Sequence, residues 1–165
     1  MLRRVYDEVV QGAAFVAFTV MLVAALLGTV SRYATFLPVV AWGEEVTRYA
    51  GIWAVFLVSG LGLRHGSHLG VDLLTHRLSP GAHRALYRVV YALVLAFAAL
   101  LLVAGVRLVR ENMAQLSPAL EWPMGLVYLC VPIGAGLMIV ETVGLLRRSW
   151  QGLPPPRPPL EERAE

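Results

Sequence analysis

The sequence predicts an all-α membrane protein with four transmembrane helices, and three observations support this prediction. Apolar residues make up 58% of the 165 residues and charged residues only 15%, whereas a soluble domain is about half apolar and a quarter charged. The apolar residues gather into four uncharged stretches, at residues 9–31, 49–63, 89–106 and 122–140. The chain also has a single cysteine, which excludes a disulfide scaffold and chemistry that needs paired thiols.

The lengths of these stretches set the predicted spans. A bilayer needs about 20 apolar residues of helix, because its hydrocarbon core is about 30 Å thick and a helix rises about 1.5 Å per residue. The second stretch has only 15 residues and must include polar residues at its ends. The first exceeds the about 7–15 residues of a signal-peptide core, so we expect it to be retained. The predicted membrane domain is residues 1–152, with spans at about 9–31, 44–65, 84–108 and 122–146, followed by a disordered proline-rich and charged tail at 153–165.

The arginines predict the orientation of these spans. All 14 basic residues are arginine. With four spans, the two termini and the middle loop share one side of the membrane, and this side carries ten arginines: Arg3, Arg4, Arg64, Arg77, Arg84, Arg88, Arg147, Arg148, Arg157 and Arg163. The other side carries Arg32, Arg48, Arg107 and Arg110. Because cytoplasmic segments carry the excess of positive charge, we expect both termini and the middle loop in the cytoplasm.

The start of the second span is the first candidate site. Trp42 suits the membrane interface, and the carboxylates of Glu44 and Glu45 suit a helix N-terminus. Glu44 and Arg48 are four residues apart, so they share a helix face and can pair. Two interpretations of Arg48 stay open: part of a capped helix start, or a polar contact with a partner subunit.

The segment after the second span is predicted to form a short amphipathic helix in the membrane interface, because polar and apolar residues alternate there at helical spacing. His65, His68 and Asp72 are three and four residues apart, which could place three metal ligands on one helix face. Glycines interrupt this segment and no fourth ligand is evident. We therefore favour an interfacial polar cluster with Arg64, and expect no bound metal or cofactor.

The fourth span is predicted to be irregular. Pro123 marks its entry, and Pro132 falls inside it, where a proline removes a helix hydrogen bond and kinks the helix. Gly134 and Gly136 would let another backbone approach. Glu141 lies at membrane depth, which makes it a candidate proton or cation site, although it is close enough to the basic end of the span to pair there.

These motifs also carry a family resemblance. Residues 42–49 (WGEEVTRY) resemble the start of the second span in the small membrane subunit of the tripartite ATP-independent periplasmic (TRAP) transporters. The end of that span and the fourth span are similar to the family at residues 56–60 (FLVSG), Arg64, His68, residues 71–74 (VDLL), Pro123, Tyr128 and residues 132–134. The family's usual glycine near Val58 is displaced to Gly60. The resemblance covers about residues 5–150 and is most specific between Trp42 and Leu74.

The resemblance implies a function as a non-enzymatic Q-type small permease subunit. In that family the small subunit braces a large membrane subunit that holds the substrate and sodium sites. A periplasmic solute-binding protein delivers an organic anion, commonly a carboxylate. The residues expected to hold the subunit fold or the contact with the large subunit are Trp42, Glu44, Glu45, Arg48, Arg64, His68, Asp72, Pro123 and Pro132. Trp42 and Glu121 are expected to face the binding protein.

Two other hypotheses come from different functional classes. One is a small membrane metalloenzyme that uses His65, His68 and Asp72. The other is an autonomous ion-coupled exporter that depends on Glu141. Nucleic-acid binding is not expected despite the isoelectric point of about 9.4, because arginines beside membrane spans already account for that value.

Overall fold

The computed structural model describes residues 2–33, 41–64 and 80–151, and the structural statements below concern these residues. They form five helices: α1 (Leu2–Tyr33), α2 (Trp42–Arg64), α3 (Pro80–Glu111), α4 (Met124–Tyr128) and α5 (Cys130–Trp150). Four segments are long and apolar enough to cross a membrane: Val5–Tyr33, Trp42–Leu63, Ala85–Glu111 and Met124–Trp150. The predicted all-α fold with four spanning helices is therefore confirmed. The predicted interfacial helix and the C-terminal tail lie outside the described residues.

The helices extend beyond most of the predicted spans because charged residues at the ends of the apolar stretches continue the helix. Arg3, Asp7 and Glu8 lie within α1, and Arg107 and Arg110 lie within α3. Arginine and glutamate are good helix formers, so polarity alone does not end a helix. The second span also includes its polar ends, since α2 begins at Trp42 with Glu44 and Glu45 in its first turn.

The four long helices lie side by side in a row. α1 packs against α2, α2 against α5, and α5 against α3, which gives the order α1, α2, α5, α3. α1 and α2 are antiparallel, because Arg32 meets Glu44 and the earlier residue Met21 meets the later residue Gly51. α2 and α5 are parallel, because Phe56 meets Gly134 and Gly60 meets Leu137. The C-terminal end of α1, the start of α2 and the segment 112–123 are therefore at the same end of the row, which we call the loop end.

The contact between α2 and α5 is close because glycines allow it. A β-carbon at Gly134 would lie 2.8 Å from the backbone oxygen of Phe56, and one at Gly60 would lie 3.0 Å from Cβ of Leu137. Small residues at membrane helix contacts let two backbones approach and gain dispersion energy. Gly134 thus does what its sequence context predicted. Gly136 does not, because nothing lies within 4 Å of its β-carbon position.

α3 packs against α4 and α5, and a proline and a second pair of glycines lie at these contacts. Gly105 faces Val131 and Pro132, whose atoms would lie 2.9–3.0 Å from a β-carbon there. Gly125 receives the thioether of Met113, and the backbone oxygen of Val109 would lie 2.7 Å from its β-carbon. The first half of the fourth span therefore packs against α2 on one side and against α3 on the other.

The predicted irregularity in the fourth span is a break between α4 and α5 at Leu129. Pro132 has no N–H, so it cannot donate to the carbonyl of Tyr128, and its ring crowds that carbonyl. The chain turns instead: the Leu129 N–H donates to the Leu126 oxygen at 3.4 Å, and the helix resumes with the Ile133 N–H donating to the Leu129 oxygen at 3.2 Å. The break places the Pro132 ring against Gly105.

Candidate functional site

The loop end of the row is organised by the buried carboxylate of Glu45. Glu45 lies in the first turn of α2 and is only 6% exposed. Its Oε1 accepts the N–H of Ala119 at 2.8 Å, and its Oε2 accepts the N–H of Leu120 at 3.2 Å. Hydrogen bonds to an ionised acceptor are about twice as strong as neutral ones. Glu45 therefore fastens α2 to the segment between α3 and α4, 74 residues further along the chain.

That segment folds as a tight loop with its own internal hydrogen bonds. The Ser117 N–H donates to the Trp122 oxygen at 2.9 Å, and the Trp122 N–H donates to Ser117 Oγ at 3.2 Å. Glu121 has φ of 54°, in the left-handed region that few non-glycine residues adopt. Leu116 and Pro123 form an antiparallel bridge that closes the loop. Pro123 thus stands at the entry to the fourth span, as its sequence context predicted, and both Glu121 and Trp122 are exposed.

Glu44 takes a different partner from the one that its spacing suggested. Its carboxylate forms a salt bridge with Arg32 near the C-terminal end of α1, in place of the pair with Arg48 that the sequence spacing suggested. The reason is tertiary, because α1 brings Arg32 to Glu44 across the helix contact. Arg48 is exposed, and with Arg32, Tyr33 and Thr47 it lines a groove of about 590 Å³ between α1 and α2.

The opposite end of the row holds a second polar group that the sequence analysis did not single out. Arg88 of α3 donates to the backbone oxygen of Ser149 at 3.2 Å, and its guanidinium carbon lies 4.9 Å from the centre of a Trp150 ring. Tyr87 and Tyr91 pack beside it with ring centres 5.8 Å apart, against Leu145. The spacing of Tyr87, Arg88 and Tyr91 at i, i+1 and i+4 could have indicated a helix face in contact with another helix.

Glu141 lies inside the protein and is 5% exposed. It follows Val140 and precedes Thr142, whose hydroxyl donates to the Met138 oxygen at 2.7 Å within α5. Glu141 lies on α5 six residues before Arg147, and its location at membrane depth stays a prediction.

The remaining candidates lie at the end of α2 and beyond it. Arg64 is the last residue of α2, and the proposed metal ligands His65, His68 and Asp72 lie outside the described residues. Among the residues that the structure describes, no three His, Cys, Asp or Glu residues come close enough to hold a metal ion. In the described part, the loop end joins α2 to the segment between α3 and α4 through the Glu45 carboxylate.

The chain is similar in sequence to known membrane-transport proteins. Residues 21–152 match the DctQ component of the tripartite ATP-independent periplasmic transporters. The chain is 30% identical over 99 residues to the C4-dicarboxylate TRAP transporter small permease protein DctQ of Rhodobacter capsulatus, which covers 59% of this chain and 44% of that protein. It is 28% identical over 116 residues to the protein of the same name from Pseudomonas aeruginosa, covering 65% and 53%.

A third relative is longer. The isethionate TRAP transporter permease protein DctMQ of Oleidesulfovibrio alaskensis is 31% identical over 102 residues, which is 61% of this chain and 16% of that protein. The chain thus spans about half or less of the length of the relatives that it matches. The family match itself covers the second, third and fourth spans, the part of the first span from residue 21 onward, and the whole loop that Glu45 binds. The chain belongs to the DctQ family of TRAP transporters, and it is a multi-pass inner-membrane transport subunit, not an enzyme.

Proposed function

We propose that this chain is the small subunit that supports a large permease in sodium-coupled, binding-protein-dependent uptake of a small organic anion. The observation that carries the proposal is the row of helices. Each long helix has exposed apolar residues. In the most apolar part of the first span only 11% of the residues are buried, against 33% in the fourth span. A row with uncovered apolar faces suits a brace for another membrane protein, in addition to contact with lipid.

The names of the relatives support the solute class. Two are small permeases of C4-dicarboxylate TRAP transporters, and one is an isethionate TRAP transporter permease. Dicarboxylates and isethionate, a sulfonate, share a small size and a negative charge. A small organic anion is therefore the solute class that we propose for the assembly containing this chain.

A large permease is the proposed first partner. The match to the isethionate TRAP transporter permease protein DctMQ occupies 16% of that protein. A chain of this size forming part of a longer permease supports close association between the two units. For this contact we propose Arg64, the last residue of α2, and His68 and Asp72, which follow it in the sequence.

A periplasmic solute-binding protein is the proposed second partner. The loop end would face the periplasm, with both termini in the cytoplasm, since ten of the fourteen arginines fall on the terminal side in the sequence analysis. Trp42 and Glu121 are exposed at the loop end and are the proposed contacts. Glu45, Pro123 and Pro132 are internal to the subunit, so we assign them to its fold. We also propose that residues 1–152 form the membrane domain and that residues 153–165 stay outside it.

Reconstitution tests this proposal. The chain is coexpressed with the large permease of its own system, purified through a tag on the small subunit, and placed in liposomes with the binding protein and radiolabelled succinate or isethionate. We expect copurification of the two membrane chains and uptake that needs the binding protein and an inward sodium gradient. A chain that is monodisperse alone and also dispensable for binding-protein-dependent uptake would contradict the proposal.

The autonomous exporter is the competing function, and the burial of Glu141 is the observation that favours it. The chain reconstituted alone distinguishes the two. Solute or cation flux from liposomes that contain only this chain, abolished by Glu141→Gln, would establish the exporter. We expect no flux in that preparation, and we expect Glu141→Gln to affect uptake only in the complete assembly.

A further inference from the structure

Two grooves, one polar and one apolar, open on the same face of the α1–α2 pair, and Met21 packs on Gly51 at a level between them. We call the two together the α1–α2 groove, with a polar end and an apolar part. The polar end lies at the loop end of the row and has a volume of about 590 Å³. Its polar lining residues are Thr29, Arg32, Tyr33, Glu44, Thr47 and Arg48. These residues come from the last turns of α1 and the first turns of α2, so they lie where the spans reach the membrane surface.

The polar end carries two guanidinium groups and one carboxylate. Glu44 pairs with Arg32, and Arg48 is exposed. Both threonine hydroxyls donate to carbonyls of their own helices, Thr29 to Ala25 at 2.8 Å and Thr47 to Gly43 at 2.7 Å. The adjacent carboxylate of Glu45 accepts two backbone N–H groups from the 112–123 loop and does not line the groove. The groove therefore offers the exposed guanidinium groups of Arg32 and Arg48 to an anion.

The apolar part, of about 870 Å³, is lined further along the same two helices by Ala14, Phe15, Phe18, Ala54, Val55 and Val58 among others. Seven residues separate Phe18 from Ala25 of the polar end, and seven separate Ala54 from Thr47. Seven residues are close to two full turns, so both parts open on the same face of each helix. The two parts lie along one line across the α1–α2 surface.

The length of this line matches one leaflet of a bilayer. Fourteen residues separate Arg32 from Phe18, which is about 21 Å along a helix. Half of a bilayer with its headgroup regions is about 20–22 Å. With Arg32 at headgroup depth, Phe18 reaches the middle of the membrane, and Val55 lies seven residues, or about 10 Å, from Arg48 along α2.

We propose that this groove is a binding site for an anionic phospholipid of the leaflet at the loop end. Its phosphate accepts hydrogen bonds from Arg48 and from Arg32, which Glu44 holds in place, and one acyl chain lies between α1 and α2 against Phe18, Val55 and Val58. A phospholipid satisfies both parts with one molecule. A soluble phosphate would leave the apolar part unused, and a protein helix would need an acidic side chain at the same depth as Arg48. The lipid would lie against both helices and so add contacts to the packing of α1 on α2.

Native mass spectrometry of the full chain tests the site. The protein is purified in mild detergent with equal amounts of phosphatidylglycerol and phosphatidylcholine. We expect one phosphatidylglycerol retained in preference to phosphatidylcholine, with no displacement by inorganic phosphate. Arg48→Gln should weaken retention at least about tenfold, because a charge-assisted hydrogen bond is lost, whereas Arg48→Lys should keep most of it.

Two matched controls show whether lipid retention depends on the groove. One removes an arginine outside it, and the other adds a phenylalanine outside it. Arg110→Gln removes an exposed arginine near the same end of α3, outside the groove, and should leave retention unchanged. Val58→Phe fills the apolar part and should reduce retention with all charges intact, whereas Val89→Phe, on exposed α3 surface, should not. Circular dichroism checks that each variant keeps its helix content.

Three results would overturn the proposal. The first is equal retention of the two phospholipids, and the second is displacement of phosphatidylglycerol by inorganic phosphate, which would indicate a site for a free anion. The third is a protein contact: Arg48→Gln would abolish copurification with the large permease while phosphatidylglycerol retention by the chain stayed unchanged. Each result can be told apart from failure of the transport proposal, because lipid retention is measured on the chain alone.

Discussion

The two flanks of α2 are packed in contrasting ways. Towards α5, Gly60 and Gly134 bring the backbones together, and the Glu45 carboxylate is 6% exposed and holds backbone N–H groups of the 112–123 loop. Towards α1, two grooves remain, and the Arg32–Glu44 salt bridge has side chains that are 67% and 62% exposed. The adjacent residues Glu44 and Glu45 therefore belong to different environments, although they share one helix turn.

This contrast shows where the subunit derives its rigidity. Close backbone contact and charge-assisted hydrogen bonds to a loop resist rearrangement, because each has little room to relax. Exposed ion pairs contribute about 0–1 kcal/mol. α1 is the edge helix: it packs extensively on α2, and an exposed ion pair joins the two at the loop end. On its other flank, α2 is also held by the buried Glu45 carboxylate.

Gly134→Leu is expected to have the largest effect. A side chain there meets the Phe56 backbone at 2.8 Å, so α2 and α5 must separate, at a cost of about 3 kcal/mol or more in the free energy of unfolding. Unfolding in mixed detergent, followed by circular dichroism, measures the loss. Gly136→Leu is the matched control, since nothing lies within 4 Å of its β-carbon position, and should change stability by less than about 1 kcal/mol. Equal effects at the two positions would show that α2 and α5 do not meet at Gly134.

Glu45→Ala should have the next largest effect, and a local one. Removing the carboxylate leaves the N–H groups of Ala119 and Leu120 without their acceptor, so their amide hydrogens should exchange with solvent much faster. Hydrogen exchange read by mass spectrometry over residues 112–123 measures this. Glu44→Ala, one residue away, should leave that exchange unchanged. Comparable exchange in the two variants would mean that Glu45 does not hold the loop.

Gly105→Ala tests the contact between α3 and α5 at a smaller scale. The new methyl group would lie 2.9–3.0 Å from Val131 and Pro132, and should cost about 1–2 kcal/mol. Cys130, the single cysteine, is buried beside this contact, so faster maleimide labelling of its thiol should accompany the loss. Gly144→Ala, which meets nothing within 4 Å, should be neutral or slightly stabilising. Unchanged labelling in Gly105→Ala would place the α3–α5 contact elsewhere.

Arg32→Gln should have the smallest effect on stability. Its salt bridge with Glu44 is exposed on both sides, so its removal should lower the free energy of unfolding by less than about 1 kcal/mol. The same mixed-detergent unfolding, without added phospholipid, makes the comparison direct. A loss as large as that of Gly134→Leu would mean that the α1 side of α2 is as tightly fixed as the α5 side.

The resemblance in residues 42–74 and the four apolar stretches were sufficient to predict the family and the class of fold. Apolar length and helix propensity are local properties, so they can be read from consecutive residues. Gly134 and Pro132 were also recognised locally, as a close-approach residue and a kink. The partners of the charged residues were not. Spacing within one helix suggested Glu44 with Arg48, whereas the structure pairs Glu44 with Arg32 and gives Glu45 to a loop 74 residues away.

The sequence by itself determined that this chain forms four membrane-spanning helices and belongs with the small subunits of TRAP transporters, because hydrophobic length and motif order survive without knowledge of contacts. Only the tertiary structure decided that the helices stand in the row α1, α2, α5, α3, that Gly134 and not Gly136 meets a neighbouring backbone, and that a groove opens between α1 and α2. In a membrane every helix is apolar on most of its surface, so hydrophobicity does not specify its neighbours. Close packing and a few polar contacts make that choice.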